Sequence, residues 1–466
     1  MDTKSFLSPF HFISRANLAT SVGRRLFQKR DTDATSYGLG IELMSGRRRG
    51  IVASLIRGTL WVAQWAMWVG VTLRNKAWDR GIFHAQRSRI PIISVGNLTA
   101  GGTGKTPLVA WLVLWLRAQG LRAAILSRGY GAKGPGRPND EALELAARFR
   151  HSKVENEDPN AAIPSPPEIA TAMGRRYERR PTDVSGVDRK MMWMRDKTEK
   201  NTTETPIENT KNTITIPHLQ RPDRVASVRE IESGIVGKID RIVLDDGFQH
   251  RRLARDLEIV LLDATEPFGY GYLLPRGLLR EPIRNLRRVG NGMVILTRAD
   301  QVSDARRQEI RERVARIAPQ AGWAELTQRA VNLIDSTGNE RPLTDIAGKS
   351  VVAICGIGNP RAFLDGTLRE CNVLRMDERI FPDHHFWTDS EKESLVQWIR
   401  NLPQRPEAVL CTGKDIVRWP GVTELDGVPL LAVQMEPVWL TGREELERRL
   451  DIPSSQENLA SNSSPE

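Results

Sequence analysis

Residues 90–106 constrain the fold of this chain more than any other stretch. The mainly apolar run 92–95 predicts a short buried strand, which leads into the segment 99–106, Thr-Ala-Gly-Gly-Thr-Gly-Lys-Thr. Pro107 then opens an apolar helical pattern that ends near Gly120. A strand, a glycine-rich turn and a helix in this order are typical of a loop that binds phosphate groups at a helix N-terminus.

The residue types of this loop suit a nucleoside triphosphate. Glycines adopt conformations closed to residues with a Cβ atom, so successive backbone N–H groups can converge on one anion. Lys105 would reach the terminal phosphates, and the Thr106 hydroxyl would hold Mg²⁺. The usual pattern has glycine where this chain has Thr99, and a purely structural turn is the alternative. The residues expected to bind ATP are Thr99, Ala100, Gly101, Gly102, Thr103, Gly104, Lys105 and Thr106.

Polar residues follow two further expected strands. The strand at 123–126 ends in Ser-Arg-Gly-Tyr-Gly, where Arg128 and Tyr130 would bind an anionic, sugar-bearing ligand unless the segment is a plain turn. A later apolar strand ends at Asp245 and Asp246, the residue type that holds Mg²⁺ or positions water beside a phosphate loop. Substrate crevices of open α/β sheets form at the carboxyl ends of strands, so these positions are candidate site residues.

Two other segments carry acid–base candidates. Asp140 stands at the start of a helical pattern, and by itself it predicts a helix cap. His384 and His385 follow Asp383 directly. Adjacent imidazoles beside a carboxylate suit acid–base chemistry, or a metal if further ligands were near. The ligand spacing for a metal is incomplete, so an acid–base or orienting role is the better functional prediction, with a solvent-exposed pair as the alternative.

Strands and helices alternate along most of the chain, which predicts an α/β fold. We expect a parallel sheet of the phosphate-loop type with helices on both faces, formed by 86–150 and 214–330. The alternation restarts after the first domain, so 345–450 predicts a second, smaller α/β domain. Three polar segments lack apolar periodicity: 1–45 is expected to be disordered or a mis-annotated extension, 151–213 a disordered insertion, and 451–466 a disordered tail.

The segment 46–85 predicts an amphipathic helix that associates with a membrane. Trp61, Trp65 and Trp68 fall on one helical face, and arginines flank the apolar stretch. The uncharged run 58–73 is shorter than the roughly 20 residues that span a bilayer. A helix lying in the headgroup region is therefore favoured over a full span, and a tryptophan-rich core helix is the alternative.

Charge limits the partners without choosing among them. The 466 residues include 68 Lys and Arg against 57 Asp and Glu, a net charge of +11. Such a balance suits nucleic acid, an anionic membrane surface or a phosphorylated substrate. No apolar run of signal-peptide length follows Met1, so secretion is not indicated.

Six motifs in a fixed order give the chain a family resemblance. The chain resembles the tetraacyldisaccharide 4'-kinases, the lipid A 4'-kinases, over about residues 50–440 apart from the insertion. The motifs are Val-Gly-Asn-Leu-Thr at 95–99 with Lys-Thr-Pro at 105–107, Ser-Arg-Gly-Tyr-Gly at 127–131, Asp-Asp-Gly-Phe-Gln-His at 245–250, Leu-Arg-Glu-Pro at 279–282, Gly-Ile-Gly-Asn-Pro at 356–360, and Phe-Pro-Asp-His-His at 381–385.

The resemblance implies a lipid kinase. Such an enzyme is a monotopic or peripheral protein on the cytoplasmic face of the inner membrane, and it transfers the γ-phosphate of ATP to the 4'-hydroxyl of a tetraacylated glucosamine disaccharide 1-phosphate. Asp140 would act as the catalytic base, paired with His384 or His385. The expected roles of the remaining residues are catalysis for Lys105 and Asp246, metal binding for Thr106, Asp245, Asp246 and Glu281, and substrate binding for Asn97, Arg128 and Tyr130.

The chain departs from the family pattern at two motifs. Asn139 and Ala142 stand where the family has the Gly and Pro of a Gly-Asp-Glu-Pro element. Gly413 replaces the Glu of a Thr-Glu-Lys-Asp element. These departures concern the local geometry around Asp140 and around 412–415.

Two other classes of protein compete with the lipid kinase. A membrane-associated switch ATPase of the cell-division or partitioning type uses a similar loop, but it carries a signature Lys where this chain has Ala100. A nucleic-acid-binding protein would interleave aromatic and basic residues on its strands, and no such pattern is found. We therefore expect a lipid substrate and a membrane surface as partners, no nucleic acid, and a monomer.

Overall fold

The computed structural model describes residues 36–129, 139–151, 216–383 and 385–452. Most of the expected N-terminal extension and C-terminal tail, and nearly all of the expected insertion, lie outside these described residues. The strands are β1 Ile92–Asn97, β2 Ala123–Ser127, β3 His218–Gln220, β4 Arg241–Asp245, β5 Leu257–Asp263, β6 Met293–Thr297, β7 Gly322–Ile334, β8 Glu340–Arg341, β9 Ser350–Cys355, β10 Arg375–Ile380, β11 Ala408–Thr412, β12 Glu424–Leu425 and β13 Val428–Thr441.

The helices alternate with these strands, as the sequence pattern predicts. They are α1 Ser36–Met44, α2 Ile51–Asp79, α3 Lys105–Ala118, α4 Asp140–His151, α5 Arg224–Glu232, α6 Asp304–Ile317, α7 Pro360–Glu370, α8 Asp389–Arg400, α9 Gly413–Ile416 and α10 Arg443–Leu450. Short 3₁₀ turns occupy Gly269–Gly271, Ile283–Val289, Ala299–Gln301 and Leu343–Asp345.

One mixed sheet runs through the described residues. Its order is β10-β9-β11-β13-β7-β6-β5-β1-β4-β2-β3, with β12 paired to β13 and β8 to β7. Neighbours on either side of the β13–β7 pair run parallel. The expected α/β class is confirmed: the sheet is dominated by parallel pairs.

The long strands β7 and β13 join the two halves of this sheet. They pair antiparallel from Thr441 opposite Glu325 to Ala432 opposite Ile334. The strands after residue 345, which the sequence assigned to a second domain, therefore continue the first sheet edge to edge. We call strands β1 to β7, with the helices between them, the N-terminal half. Strands β9, β10, β11 and β13, with their helices, are the C-terminal half.

Helices cover both faces of the N-terminal half. Every residue of β1, β4 and β5 is buried, as expected of strands enclosed on two sides. Ile93 on one face packs in a cluster with Leu112 of α3, whereas Val260 on the other face packs in a cluster with Ile310 of α6. This two-sided burial explains why these strands appear in the sequence as continuous apolar runs.

Helix α2 lies against the N-terminal half and is only partly buried. Met67 and Trp68 pack against the core cluster that contains Val260. Trp61 and Trp65 are about half exposed, at 47% and 46%. Within the described residues, no helix combines the length and the apolar character that crossing a bilayer requires.

Within the expected N-terminal extension, the residues from Ser36 to Met44 form α1. Arg276 Nη1 donates a hydrogen bond of 2.7 Å to the Met44 carbonyl oxygen. This contact joins the end of α1 to the loop that follows β5.

Candidate active site

The phosphate loop joins β1 to α3, and two of its three glycines have a positive φ. Gly101 has a φ of +110° and Gly104, the N-cap of α3, has a φ of +79°. A Cβ atom added at Gly101 or Gly102 would meet no atom within 4 Å. The loop therefore leaves open space beside the N-terminus of a 14-residue helix, where an anion is favoured.

Lys105 is held at the base of this loop by two oxygen atoms. Its Nζ lies 3.1 Å from Asn97 Oδ1 and 3.4 Å from Asp246 Oδ1. Asn97 is fully buried, and its Nδ2 donates to the Thr99 carbonyl oxygen at 2.6 Å. Asn97, predicted to contact substrate, thus positions the loop and its lysine in this structure.

The two aspartates that end β4 have different environments. Asp245 is buried, and its Oδ1 has no hydrogen-bond partner among the described residues. Burial, with the nearby Glu141 carboxylate, raises the pKa of Asp245. Burial also acts on Asp246, but the Lys105 and Arg280 cations outweigh it and lower the pKa of Asp246. Arg280 Nη1 donates to both Asp246 oxygens, at 2.8 and 2.9 Å.

This donor set fits a nucleotide with its magnesium ion. Mg²⁺ bound with phosphates takes one or two protein carboxylates and a hydroxyl rather than a full protein cage. The described residues contain no cluster of three or more His, Cys, Asp or Glu side chains that could hold a metal ion. One Asp245 oxygen and the buried Thr103 hydroxyl have no hydrogen-bond partner among the described residues. A bound phosphate and metal ion would supply partners for both.

Glu281, the other expected metal ligand, is engaged elsewhere. Its side chain is fully buried and accepts two hydrogen bonds from Arg288, at 2.6 and 2.8 Å. Gln249, Asn285 and Asn75 of α2 donate to the same carboxylate at 3.0, 2.8 and 3.3 Å. Both Glu281 oxygens accept hydrogen bonds, and the residue links α2 to the segment after β4. The proposed metal site therefore does not include Glu281.

A cleft of about 1060 Å³ opens above the loop, and both halves of the sheet line it. Lys414 and Gly358 contribute from the C-terminal half, and Glu141 and Glu144 contribute from α4. A Cβ atom added at Gly358 would lie 3.6 Å from the Gly102 backbone nitrogen. The Gly-Ile-Gly-Asn-Pro motif is therefore packed directly beside the phosphate loop.

Asp140 begins α4 but is not its cap, because the Asn139 side chain accepts the hydrogen bond from the Ala142 backbone at 3.0 Å. Asp140 is only 7% exposed and does not line the cleft. Its Oδ2 lies 2.6 Å from Arg418 Nη2, in an ion pair between two buried side chains. The expected base is thus held by an arginine of the C-terminal half.

Residues 381–385, called the histidine segment below, are only partly described. His384 and Tyr130 lie outside the described residues. The His385 ring packs against Phe381 and Trp387, with centroids 4.9 and 5.0 Å apart, and its Nε2 lies 3.2 Å from Glu391 Oε1. Arg128, the other expected substrate contact, is exposed and lines the cleft.

Sequence reasoning missed several residues that the fold brings to this site. Arg298 donates to the Gly102 carbonyl oxygen at 2.8 Å and pairs with Asp263. Arg418 reaches Asp140 from the other half of the chain. Arg298 directly follows the buried strand β6, and this position at a strand end could have marked it as a site candidate. Arg418 follows the short helix α9, and nothing in the local sequence indicates a role there.

Comparison with known proteins identifies the family. The family model described as Tetraacyldisaccharide-1-P 4'-kinase matches residues 56–144 and 205–452. The chain belongs to this family. A tetraacyldisaccharide 4'-kinase of Anaeromyxobacter sp. (strain K) is 32% identical over 418 residues, which cover 88% of this chain and 95% of that protein. One of Chlorobaculum parvum is 31% identical and covers 82% and 91%.

A solved structure shares the fold. It is LpxK from Aquifex aeolicus in complex with ATP, and it superposes with a TM-score of 0.54 at 21% sequence identity. The match covers 85% of this chain and 98% of that one. The family resemblance inferred from the six motifs is confirmed, and the large mixed sheet is a fold shared with this neighbour.

Proposed function

We propose that this protein is a lipid kinase that transfers the γ-phosphate of ATP to the 4'-hydroxyl of a tetraacyldisaccharide 1-phosphate, a step of lipid A biosynthesis. One observation carries the proposal within the family: an open phosphate loop, the partly buried Lys105, and the buried Asp245 carboxylate with one unpaired oxygen converge in one cleft. The cleft has room for both a nucleotide and a sugar head group. The switch ATPase alternative receives no support, since the family model and the curated relatives are kinases.

The protein groups would act mainly by positioning and by neutralising charge. Phosphoryl transfer requires little covalent chemistry from the protein. The loop amides and Lys105 would bind the phosphates, while Thr106 and Asp245 would hold Mg²⁺. When bound, Mg²⁺ neutralises charge that develops on the transferred phosphoryl group. Asp246 would orient Lys105, since it already contacts Nζ.

Asp140 is the proposed general base, with His384 or His385 beside it. A positioned base typically contributes about 10² to 10⁴ in rate. Arg128 and Tyr130 are the proposed contacts to the substrate head group. Arg128 lies at the cleft with its side chain exposed, which suits a phosphate or a sugar hydroxyl.

Helix α2 is the proposed membrane-binding element, at the cytoplasmic face of the inner membrane. Several of its apolar side chains are more than 60% exposed, namely Ile51, Val52, Leu55, Val62 and Leu73. Arg57 and Arg74 lie on the same helix, and basic residues beside apolar ones favour an anionic leaflet. A monomer lying on the membrane would reach a lipid whose acyl chains stay in the bilayer.

Transfer of labelled γ-phosphate to tetraacyldisaccharide 1-phosphate in detergent micelles tests the proposal. The wild-type protein should label the lipid, and Lys105→Ala should abolish labelling while remaining folded. Lys238→Ala is the matched control, because Lys238 is exposed and lies outside the cleft. ATP hydrolysis without lipid labelling would overturn the proposal.

A further inference from the structure

Arg418 contacts three separate segments of the chain, and the proposed function above gives it no role. Its side chain is only 4% exposed. Nη2 lies 2.6 Å from Asp140 Oδ2, and Nη1 lies 3.1 Å from Asp415 Oδ1. Nη1 also donates to the backbone carbonyl oxygen of His385 at 3.1 Å. One guanidinium therefore contacts the proposed base, a buried carboxylate and the histidine segment.

Asp415 anchors this arginine within the C-terminal half. It is fully buried, and both of its oxygens accept from the Gly356 backbone N–H at 3.2 Å. The Thr412 hydroxyl donates to Asp415 Oδ2 at 2.7 Å. Because its carboxylate is held by the backbone and a hydroxyl, Asp415 provides a fixed point from which Arg418 extends.

The other end of Arg418 reaches into the N-terminal half. Asp140 is the first residue of α4. Arg148, further along the same helix, donates to the Met435 carbonyl oxygen of β13 at 2.9 Å. The Asp140–Arg418 pair is a second bond between α4 and the C-terminal half. Planar guanidinium groups bind two partners in a defined geometry, which a lysine does not reproduce. Arg418 therefore sets where Asp140 lies relative to the segment that carries the histidines.

We propose that Arg418 is a positioning residue for phosphoryl transfer, acting through Asp140 rather than on ATP or the lipid. The inference rests on the proposed function, in which Asp140 accepts the proton of the sugar hydroxyl. A base works only within hydrogen-bond reach of that proton. A misplacement of about 1 Å costs about 100-fold in rate. The bond from Arg418 restricts Asp140 to one position, beside the histidine segment.

The test compares turnover and nucleotide affinity in Arg418 variants. Arg418→Gln should lower kcat by about 10- to 100-fold and change the KM for ATP by less than about threefold, since Arg418 does not line the cleft that contains the phosphate loop. Arg418→Lys keeps the positive charge but lacks the planar guanidinium group, so its kcat should lie between those of Arg418→Gln and the wild-type protein. It also serves if Arg418→Gln does not fold, and a wild-type kcat in Arg418→Lys would then overturn the proposal.

A double-mutant cycle separates action through Asp140 from independent action. In an Asp140→Asn background, Arg418→Gln should cause no further loss of kcat beyond about twofold, because the group it positions is already absent. Losses that multiply would overturn the proposal. A wild-type kcat in either single variant would do the same.

Arg307→Gln is the control for loss of a bridging arginine, although Arg307 is partly buried, at 24% exposure. Arg307 also pairs with two carboxylates, Asp304 and Glu325, and donates to the Ala299 carbonyl oxygen, but it does not line the cleft. This variant should lower the melting temperature and leave kcat unchanged. If the wild-type protein labels no lipid, the proposed function fails; if it labels lipid and Arg418→Gln equals it, only the positioning role fails.

Discussion

At the scale of single residues, burial controls the protonation of His218. This residue lies on β3, and its Nε2 is 2.8 Å from the Ser127 hydroxyl at the end of β2. Burial lowers the pKa of His218 to about 4. The neutral ring is therefore part of the folded structure, next to the strand end that carries Arg128.

His218 should make the stability of the protein depend on pH. Its pKa is about 6.5 in the unfolded chain, so between that pH and about 4 the unfolded state binds more protons and stability falls as pH falls. The loss from about pH 8 to about pH 5 should be about 2 kcal/mol.

Urea unfolding at both pH values measures this effect. His218→Gln, which cannot titrate, should lose about 2 kcal/mol less than the wild-type protein over the same range. An equal loss in both proteins would show that His218 does not titrate as its burial requires.

At the scale of elements, the two sides of α2 differ in their surroundings. One side is tied to the protein by Asn75, which donates to Glu281, and by Asp79, which pairs with Arg251 at 2.8 Å. Trp61, Trp65 and Trp68 line a groove of about 360 Å³ together with Tyr272 and Ile283. The tryptophan face predicted to meet the membrane is thus partly turned toward the protein, and other apolar residues of α2 are more exposed than Trp61 and Trp65.

Those exposed residues should carry the membrane affinity. Replacing Leu55 and Val62 with serine should weaken binding to vesicles containing anionic lipid by about tenfold or more, since each buried aliphatic side chain contributes about 1.5 to 3 kcal/mol. Sedimentation with vesicles measures the bound fraction. Leu374→Ser is the control, because Leu374 is 65% exposed but lies on the C-terminal half. Equal binding by the double variant and the control would remove α2 from the membrane contact.

At the scale of the whole molecule, the β7–β13 pair makes the two halves one structure. This ladder has nine register pairs and runs from Glu325 to Ile334 along β7, which is more than a simple connection between independent domains needs. The cleft depends on this arrangement, because the Gly358 and Gly102 loops come from different halves.

The described parts of the protein should therefore unfold in one cooperative transition. Calorimetry should show a single peak, and ATP with Mg²⁺ should move the whole peak upward. At a ligand concentration about 100 times the Kd, the added stability is about 2.7 kcal/mol. Two separated peaks, with only one moved by ATP, would mean that the halves behave as independent domains.

The sequence by itself determined the features that depend on local spacing. The strand, loop and helix of 92–118 follow from apolar periodicity and glycine placement, and the alternation of elements predicts the parallel sheet. The order of six motifs was sufficient for the family. Each of these signals lies within a short window of the chain.

Only the tertiary structure decided how distant segments meet. It joined the C-terminal strands to the first sheet, and it gave Asp245 and Asp246 opposite pKa shifts although they are adjacent in the chain. It also paired Asp140 with Arg418, which lies 278 positions away. Such contacts depend on packing and burial, which local patterns do not encode.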